Sequence, residues 1–232
     1  MRNIITVCKR GFRRTRMYTS EHVNIMKNML DRHGCEYDNF VCISDQTEGM
    51  PSDIELIAIP DIPKHKGWWS KIETFNPKLP VTGDNLYIDL DCVVVDNIDC
   101  LWEYEQGGPV KLINVSDFYA KHTGYKFNSS VYRYTISDFI HIWEDYQLNY
   151  EQIQRNYPWG DEKYTTELDK NSKMFPKEWI INYSDESFEK LADSLENLIE
   201  TNKETYDINQ AKYLYRRAME LELDFFNAYS DF

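Results

Sequence analysis

The chain has 232 residues, 42% hydrophobic and 15% aromatic, a composition that fits one globular α/β domain with a small appendage. The formal net charge of −13 argues against a nucleic-acid partner and against binding to an anionic membrane surface. The five cysteines have no motif spacing, and the sequence shows no signal-like segment and no stretch of membrane-spanning length. These features predict a protein of the reducing cytoplasm.

The first 60 residues alternate between strand-like and helix-like patterns. Apolar runs at residues 4–8, 40–43 and 55–59 predict buried strands, and a helix capped by Thr19 or Ser20 is predicted between the first two. A β-α-β-β order of this kind favours a mostly parallel sheet. Residues 9–16 contain five basic residues in eight, and they form either a solvated loop or an anion site at the end of the first strand.

A second helix is predicted at residues 67–75, where two tryptophans are adjacent. Trp68 and Trp69 fit a core position as well as a functional one. Lys71 follows one turn later, on the approach to an acidic strand, so its ammonium group is a candidate for the functional site.

That strand contains Asp89 and Asp91, which lie between the apolar runs 86–88 and 93–95. Both runs predict buried strand, and alternation in an extended chain would place the two carboxylates on the same side. Two adjacent buried carboxylates repel each other and lose hydration, so they need compensation. A divalent cation such as Mn²⁺ or Mg²⁺ supplies it through hard oxygen ligands. The plainer alternative is that one Asp caps a turn and the other forms an ion pair.

The rest of the chain continues the α/β pattern before its composition changes. We predict helices at residues 99–105, 136–146 and 163–168, and strands at residues 110–115, 127–134 and 179–183. Residues 184–232 contain 12 acidic and 5 basic residues, no Gly or Pro, and apolar residues at helical spacing. They predict an acidic helical hairpin that packs its apolar stripe on the body or on a second copy of the chain.

Four short motifs, taken in order, resemble those of one enzyme family. They are Gly-Trp-Trp-Ser-Lys at residues 67–71, Leu-Tyr-Ile-Asp-Leu-Asp at 86–91, Phe-Asn-Ser-Ser-Val at 127–131 and Gly-Asp-Glu at 160–162. Together they resemble the motifs of nucleotide-sugar glycosyltransferases of the GT-A fold. The most similar pattern is that of small bacterial and phage relatives of glycosyltransferase family eight. The resemblance covers residues 3–183.

The resemblance implies a role for each matching residue. Asp89 and Asp91 would hold a Mn²⁺ (or Mg²⁺) ion that bridges the donor's diphosphate oxygens, and Asp89 would share the cation or contact the ribose. Lys71 would lie near the diphosphate and the donor sugar. Val7, Cys8 and Lys9 would border the nucleoside. Asn128 and Ser129 would line the donor-sugar and acceptor side. Asp161 and Glu162 would contact the sugar hydroxyls and face the reacting carbon.

The resemblance also implies a fold and an activity. We expect an α/β, Rossmann-like GT-A domain in residues 1–183, followed by the helical C-terminal extension in residues 184–232. We expect a metal-dependent hexosyltransferase that moves a sugar from a nucleotide-diphosphate sugar, a UDP-sugar, to a glycan, lipid or protein acceptor, with retention of configuration. The expected partners are the nucleotide sugar, the acceptor and a second copy bound through the C-terminal helices, with no nucleic acid and no membrane span.

Three departures from the family pattern leave other functions open. Ser130 replaces a Gly, Glu162 replaces a Gln, and no His follows His141 to serve as a third metal ligand, a place that Asp185 or water could take. One alternative is therefore a degenerate GT-A protein that binds a glycan or a partner without turnover. A haloacid-dehalogenase-like phosphatase fits the Asp-Leu-Asp spacing. Such phosphatases carry the motif after their first strand and need a later Asp-Asp pair, neither of which this sequence has.

Overall fold

The computed structural model describes residues 1–9, 18–113, 127–158, 160–169 and 171–175, all within one compact unit, Met1–Trp179. The strands are β1 Arg2–Cys8, β2 Asn39–Ser44, β3 Glu55–Ala58, β4 Asp84–Ile88, β5 Val110–Ile113, β6 Phe127–Tyr134 and β7 Lys173–Met174. The α-helices are α1 Ser20–Arg32, α2 Cys100–Glu103, α3 Ile136–Asn156 and α4 Asp161–Leu168. Two 3-10 helices cover Pro63–His65 and Gly67–Phe75.

The described strands form one sheet in the order β3-β2-β1-β4-β6-β5-β7, with β4 at its centre. Strands β3, β2, β1 and β4 pair in parallel, and β7 is parallel to β5. Strand β6 is antiparallel to both of its neighbours, β4 and β5. The structure thus confirms the predicted mostly parallel sheet, and β6 is the only described strand that runs against the others.

Strand β4 ends one residue before the acidic pair. The N–H of Asp89 donates to the carbonyl of Ser130 at 2.8 Å, and the N–H of Cys92 donates to the carbonyl of Asp89 at 3.1 Å, which closes a turn. The prediction of a second buried strand after the pair is therefore wrong, and Val93 and Val95 are 73% and 59% exposed. β-branched residues favour strands where neighbours offer pairing and packing, and this turn carries the chain off the sheet.

Both faces of the sheet are covered, which explains the apolar runs in the strands. Helix α1 covers one face with an apolar stripe made of Val23, Met26 and Leu30. The 3-10 helix Gly67–Phe75 and α3 cover the other face. Alternation along β4 sends Leu86 and Ile88 to the α1 side and Tyr87 to the 3-10 side. The residue that follows β4 is therefore presented near the 3-10 helix.

The helix predicted at residues 67–75 is a 3-10 helix of nine residues. A 3-10 helix repeats every three residues, so side chains at i and i+3 lie one above the other. Trp69, Ile72 and Phe75 follow this spacing and are buried in the core. Trp68 and Lys71 share the same spacing on a neighbouring edge of the helix.

Buried hydrogen bonds hold this long 3-10 helix in place. The carboxylate of Glu73 lies 2.9 Å from Nε2 of His65 and accepts a hydrogen bond from the Asn76 amide at 2.8 Å. The hydroxyl groups of Thr74 and Tyr132 are 3.0 Å apart, which ties the helix to β6. These contacts compensate for the poorer hydrogen-bond geometry of a 3-10 helix. His65 is thus buried and structural.

Several element boundaries differ from the predictions. Helix α3 continues ten residues past the predicted end at residue 146, with a kink at Asn149, and β7 was not predicted. The predicted strand at residues 179–183, the domain boundary after residue 183 and the helical hairpin at 184–232 lie outside the described residues. No helix in the described part of the chain is long and apolar enough to cross a membrane.

Candidate active site

Five of the residues proposed from the sequence meet at the carboxyl edge of the central sheet. Asp89 follows β4, and Lys71 reaches it from the 3-10 helix. Ser129 lies near the start of β6, which is beside the end of β4 because the two strands are antiparallel. Asp161 and Glu162 lie in the first turn of α4. They are close to Lys71, because Asp161 raises the pKa of Lys71 and Lys71 acts to lower the pKa of Glu162. Four separate chain segments therefore build one site.

An ion pair between Lys71 and Asp89 forms the centre of this group. The Lys71 Nζ lies 2.8 Å from the Asp89 Oδ2, and the two side chains are only 11% and 17% exposed. The hydroxyl of Tyr87 donates to the Asp89 Oδ1 at 2.5 Å, and Lys71 also donates to the hydroxyl oxygen of Ser129 at 3.4 Å. Burial alone would lower the pKa of Lys71, but the carboxylates of Asp89 and Asp161 raise it above its usual value. The ammonium group therefore stays charged.

The pKa of Glu162 is raised well above its usual value. Its Oε1 accepts a hydrogen bond from the backbone N–H of Ser129, the residue after Asn128 in β6, at 3.3 Å. Burial and the neighbouring Asp161 raise the pKa of Glu162 to about 7, although Lys71 acts in the opposite direction. A protonated carboxyl group donates one hydrogen bond and accepts others, as the amide of Gln does. Near neutral pH, Glu162 is thus available in both forms.

Asp91 differs from Asp89 in exposure and in partners. It is exposed, and the hydroxyl of Tyr18 donates to its Oδ2 at 3.0 Å. Tyr18 precedes α1, which packs on the face opposite to Lys71, so the two carboxylates have partners from different faces. Asp91 nevertheless contributes, with Asp89, to the raised pKa of Lys71, so both carboxylates act on the same ammonium group. Their placement on one side stays a prediction. Within residues 1–9, 18–113, 127–158, 160–169 and 171–175, no group of three His, Cys, Asp or Glu side chains could hold a metal. The candidate third ligand Asp185 lies outside those ranges.

A second polar cluster lies at the end of β1, next to β4 in the sheet. The buried ammonium group of Lys9 forms ion pairs with Asp45 at 2.6 Å and Asp61 at 2.5 Å. Asp45 follows β2 and Asp61 follows β3, so three parallel strands bring charge to the same edge. Val7 and Cys8 are buried, and burial raises the pKa of the Cys8 thiol to about 11. The rest of the basic run, residues 10–16, lies outside the described residues.

Sequence reasoning missed four residues of these two clusters. Asp45 and Asp61 could have been found, because each follows a predicted parallel strand at the edge where ligands bind. Tyr87 could also have been found, because it lies two residues before Asp89 and alternation directs both to one face. Tyr18 had no comparable signal, since its contact with Asp91 joins positions far apart in the chain.

No protein-family model matches the sequence, and no curated protein matches it. Solved structures do match. The galactosyltransferase LgtC in complex with donor and acceptor sugar analogues aligns with a TM-score of 0.52 and 13% identity, over 74% of this chain and 72% of LgtC. An LgtC active-site mutant with glutamate in place of glutamine has the same TM-score and coverage at 14% identity. The glycosyltransferase GlyE from Streptococcus pneumoniae TIGR4 has a TM-score of 0.56 and 16% identity over 86% of this chain.

The chain has a GT-A glycosyltransferase fold. This finding confirms the fold expected for the body of the protein from the four sequence motifs. The chain spans 51% of GlyE, about half of its length. At identities of 13–16%, the likeness concerns the architecture. We therefore infer the functional roles of the clustered side chains of this GT-A protein from their own chemistry and not from the similar structures.

Glu162→Gln should change the pH dependence of the stability of this GT-A protein. Because the folded state raises the pKa of Glu162 from 4.5 to about 7, the folded state binds more protons than the unfolded state between those values. The free energy of unfolding should therefore fall as pH rises through that window, by about 1–3 kcal/mol after allowance for partial exposure. Gln does not titrate, so the variant should lack this decline.

Urea unfolding of wild type and Glu162→Gln in metal-free buffer, at about pH 5 and about pH 8, measures the effect. Glu144→Gln is the matched control, because Glu144 is exposed on α3 and its variant should keep the wild-type pH dependence. Identical pH dependence in all three proteins would contradict the proton affinity assigned to Glu162.

Proposed function

We propose that this chain is a metal-dependent glycosyltransferase that moves a hexose from a UDP-sugar to an acceptor with retention of configuration. The observation that carries the proposal is the meeting of Lys71, Asp89 and Glu162 at the carboxyl edge of β4 within a GT-A fold. Ligands of open α/β sheets bind at this edge. A fixed cation beside acidic groups suits a substrate that combines a diphosphate with a sugar.

The acidic turn after β4 fits a divalent cation. Asp89 and Asp91 offer carboxylate oxygens, the ligands that Mn²⁺ and Mg²⁺ prefer. Lys71 already balances the charge of Asp89, so the exposed Asp91 leaves this turn with one net negative charge for a cation. A metal held there would neutralise charge on the diphosphate leaving group.

The donor would be bound by groups that are already in position. Lys71 is held by its ion pair to Asp89, so its ammonium group can meet the diphosphate without first being ordered. The nucleoside would lie at the end of β1, against Val7 and Cys8. Lys9 is committed to two carboxylates, which supports a role in shaping the nucleoside pocket rather than in binding a phosphate.

Asp161 and Glu162 would bind the donor sugar together with Asn128 and Ser129. In the transfer, the bond from the anomeric carbon to the diphosphate oxygen breaks and the acceptor hydroxyl oxygen bonds on the same face. The hydroxyl proton passes to the departing diphosphate, so no separate general base is required. Protonated Glu162 can provide the paired hydrogen bonds of the Gln that stands at this position in the family pattern. One of the similar LgtC structures contains a glutamine-to-glutamate change in its active site.

A degenerate GT-A protein that binds a glycan or a partner is the second candidate. Two observations favour it: Asp89 is already paired with Lys71, and the described part of the chain holds no third metal-ligating side chain. Release of UDP from a UDP-sugar in the presence of Mn²⁺ distinguishes the two candidates. The phosphatase alternative is disfavoured, because the acidic pair follows the fourth strand of the chain in a GT-A fold.

Composition supports the remaining expectations about partners and compartment. The net charge of −13 disfavours nucleic acid. All five cysteines are free, which supports the expected cytoplasmic environment. The acceptor class and the homo-oligomer through residues 184–232 stay predictions.

Asp91→Asn should abolish Mn²⁺-dependent turnover of the donor while the fold survives. Asn keeps the shape of Asp and can still accept the hydrogen bond from Tyr18, but it removes the charge that a cation needs. Without metal, the variant should be at least as stable as wild type, because one of two neighbouring carboxylates has lost its charge. UDP release from a set of UDP-sugars is measured against Mn²⁺ concentration.

Asp96→Asn is the matched control for this experiment, because Asp96 is exposed in the same loop outside the acidic turn. It should titrate with Mn²⁺ as the wild type does. Wild-type metal dependence in Asp91→Asn would remove Asp91 from the metal site, and with it the strongest argument for a metal-dependent transferase.

Lys71→Ala should weaken donor binding and leave turnover dependent on Mn²⁺. A charge-assisted contact to a diphosphate contributes about 1.5–3 kcal/mol, which corresponds to a roughly ten- to hundredfold increase in the KM for the UDP-sugar. The melting temperature should also fall, because Asp89 loses the partner that balances its partly buried charge. Lys78→Ala, at an exposed position, is the control for both measurements. A donor KM equal to that of wild type would place the diphosphate elsewhere.

A further inference from the structure

Two adjacent tryptophans of the 3-10 helix have opposite environments. Trp69 is 6% exposed and stacks on Tyr146 with 5.2 Å between ring centroids, whereas Trp68 is 52% exposed. A single exposed apolar side chain is common on protein surfaces. The exposure of Trp68 therefore points to a function only because this side chain lies beside the candidate active site.

The helix geometry places Trp68 beside the candidate active site. Residues three apart in a 3-10 helix are eclipsed, so Trp68 lies on the same edge as Lys71, about 6 Å away along the helix axis. The ammonium group at that edge is the one that pairs with Asp89. The indole thus lies one helical turn from the proposed diphosphate contact.

The indole also contacts the turn that begins α4. Gly160 has a φ of +116°, and a Cβ at this position would come within 3.3 Å of the Trp68 Cε3 atom. Only glycine adopts this backbone conformation without strain and allows the close approach. Gly160 directly precedes Asp161 and Glu162, so part of the indole is fixed against the segment proposed to bind the donor sugar.

We propose that the exposed face of Trp68 is the platform on which a sugar ring of a carbohydrate acceptor stacks. The proposal rests on the transferase function proposed above and specifies its acceptor. A pyranose ring has an apolar face of C–H groups that packs on an indole, while its hydroxyls remain free to bind water or polar groups. An acceptor ring placed there would border both Lys71 and Glu162.

The other parts of the substrates fit this surface less well. A diphosphate requires cations and hydrogen-bond donors, which Lys71 and a metal at the acidic turn would supply. The nucleobase also has a flat face, but its proposed place is the end of β1, near Lys9. The acceptor ring is the remaining flat substrate group that must reach the sugar-binding carboxylates.

Fluorine NMR of the full chain labelled with 5-fluorotryptophan tests the proposal. The chain has six tryptophans, and the Trp68 resonance is identified by its loss in Trp68→Phe. The probes are lactose, maltose, cellobiose and chitobiose, each added with and without UDP and Mn²⁺, and UDP with Mn²⁺ alone. We expect at least one disaccharide to shift the Trp68 resonance in a saturable way. Disaccharides that leave this resonance unchanged would overturn the proposal, as would a shift caused by UDP and by none of the sugars.

Variants then connect the platform to binding. By ligand-observed NMR, Trp68→Ala should weaken binding of the responding disaccharide about tenfold or more, and Trp68→Phe should restore most of the affinity. Leu148→Ala, at a position 83% exposed on α3, is the control and should bind as wild type does. Equal affinity in Trp68→Ala and wild type would overturn the proposal.

Donor hydrolysis distinguishes failure of this inference from failure of the proposed function. Mn²⁺-dependent release of UDP from UDP-sugars to water is therefore measured on the wild type, beside the disaccharide titrations. If the wild type binds a disaccharide at Trp68 without hydrolysing any UDP-sugar, the transferase proposal fails and the sugar platform stands. If hydrolysis proceeds and no sugar binds at Trp68, the platform fails and the transferase stands.

Discussion

The ion pair between Lys71 and Asp89 is the interaction on which the rest of the candidate site depends. Two largely buried charges are tolerated only when each has a partner and its remaining hydrogen-bonding capacity is used. Here Lys71 contacts Asp89 and Ser129, and Tyr87 satisfies the second oxygen of Asp89. The pair joins the 3-10 helix to the end of β4 and to the start of β6. It also leaves Asp91 as the exposed carboxylate of the acidic turn.

The reversed direction of β6 completes the site. Had β6 run parallel to β4, Ser129 would lie at the opposite edge of the sheet, far from Asp89. In the antiparallel arrangement, its backbone N–H reaches Glu162 at the start of α4. Burial beside Asp161 makes the ionised form of Glu162 unfavourable, so its position reduces stability at neutral pH. A cost of this kind is characteristic of groups retained for chemistry or binding rather than for folding.

The 3-10 helix determines which side chains enter the core and which face the site. Its three-residue period directs Trp69 inward and leaves Trp68 on the edge that carries Lys71. The buried contact between Glu73 and His65 anchors this helix, although neither side chain belongs to the site. The helix that carries Lys71 and Trp68 is thus also held by a buried structural contact.

The sequence by itself determined the order of the early elements, the mostly parallel sheet and the membership of Lys71 and Asp89 in one site. Apolar periodicity and short motifs are local properties, so they can be recognised without coordinates. The tertiary structure decided that β4 stops before Asp89, that residues 93–95 leave the sheet, and that Lys9 is neutralised by Asp45 and Asp61. It also decided the exposure of Trp68 and the proton affinity of Glu162. These properties arise from groups distant in the chain, because pairing, burial and electrostatic fields depend on distances in space.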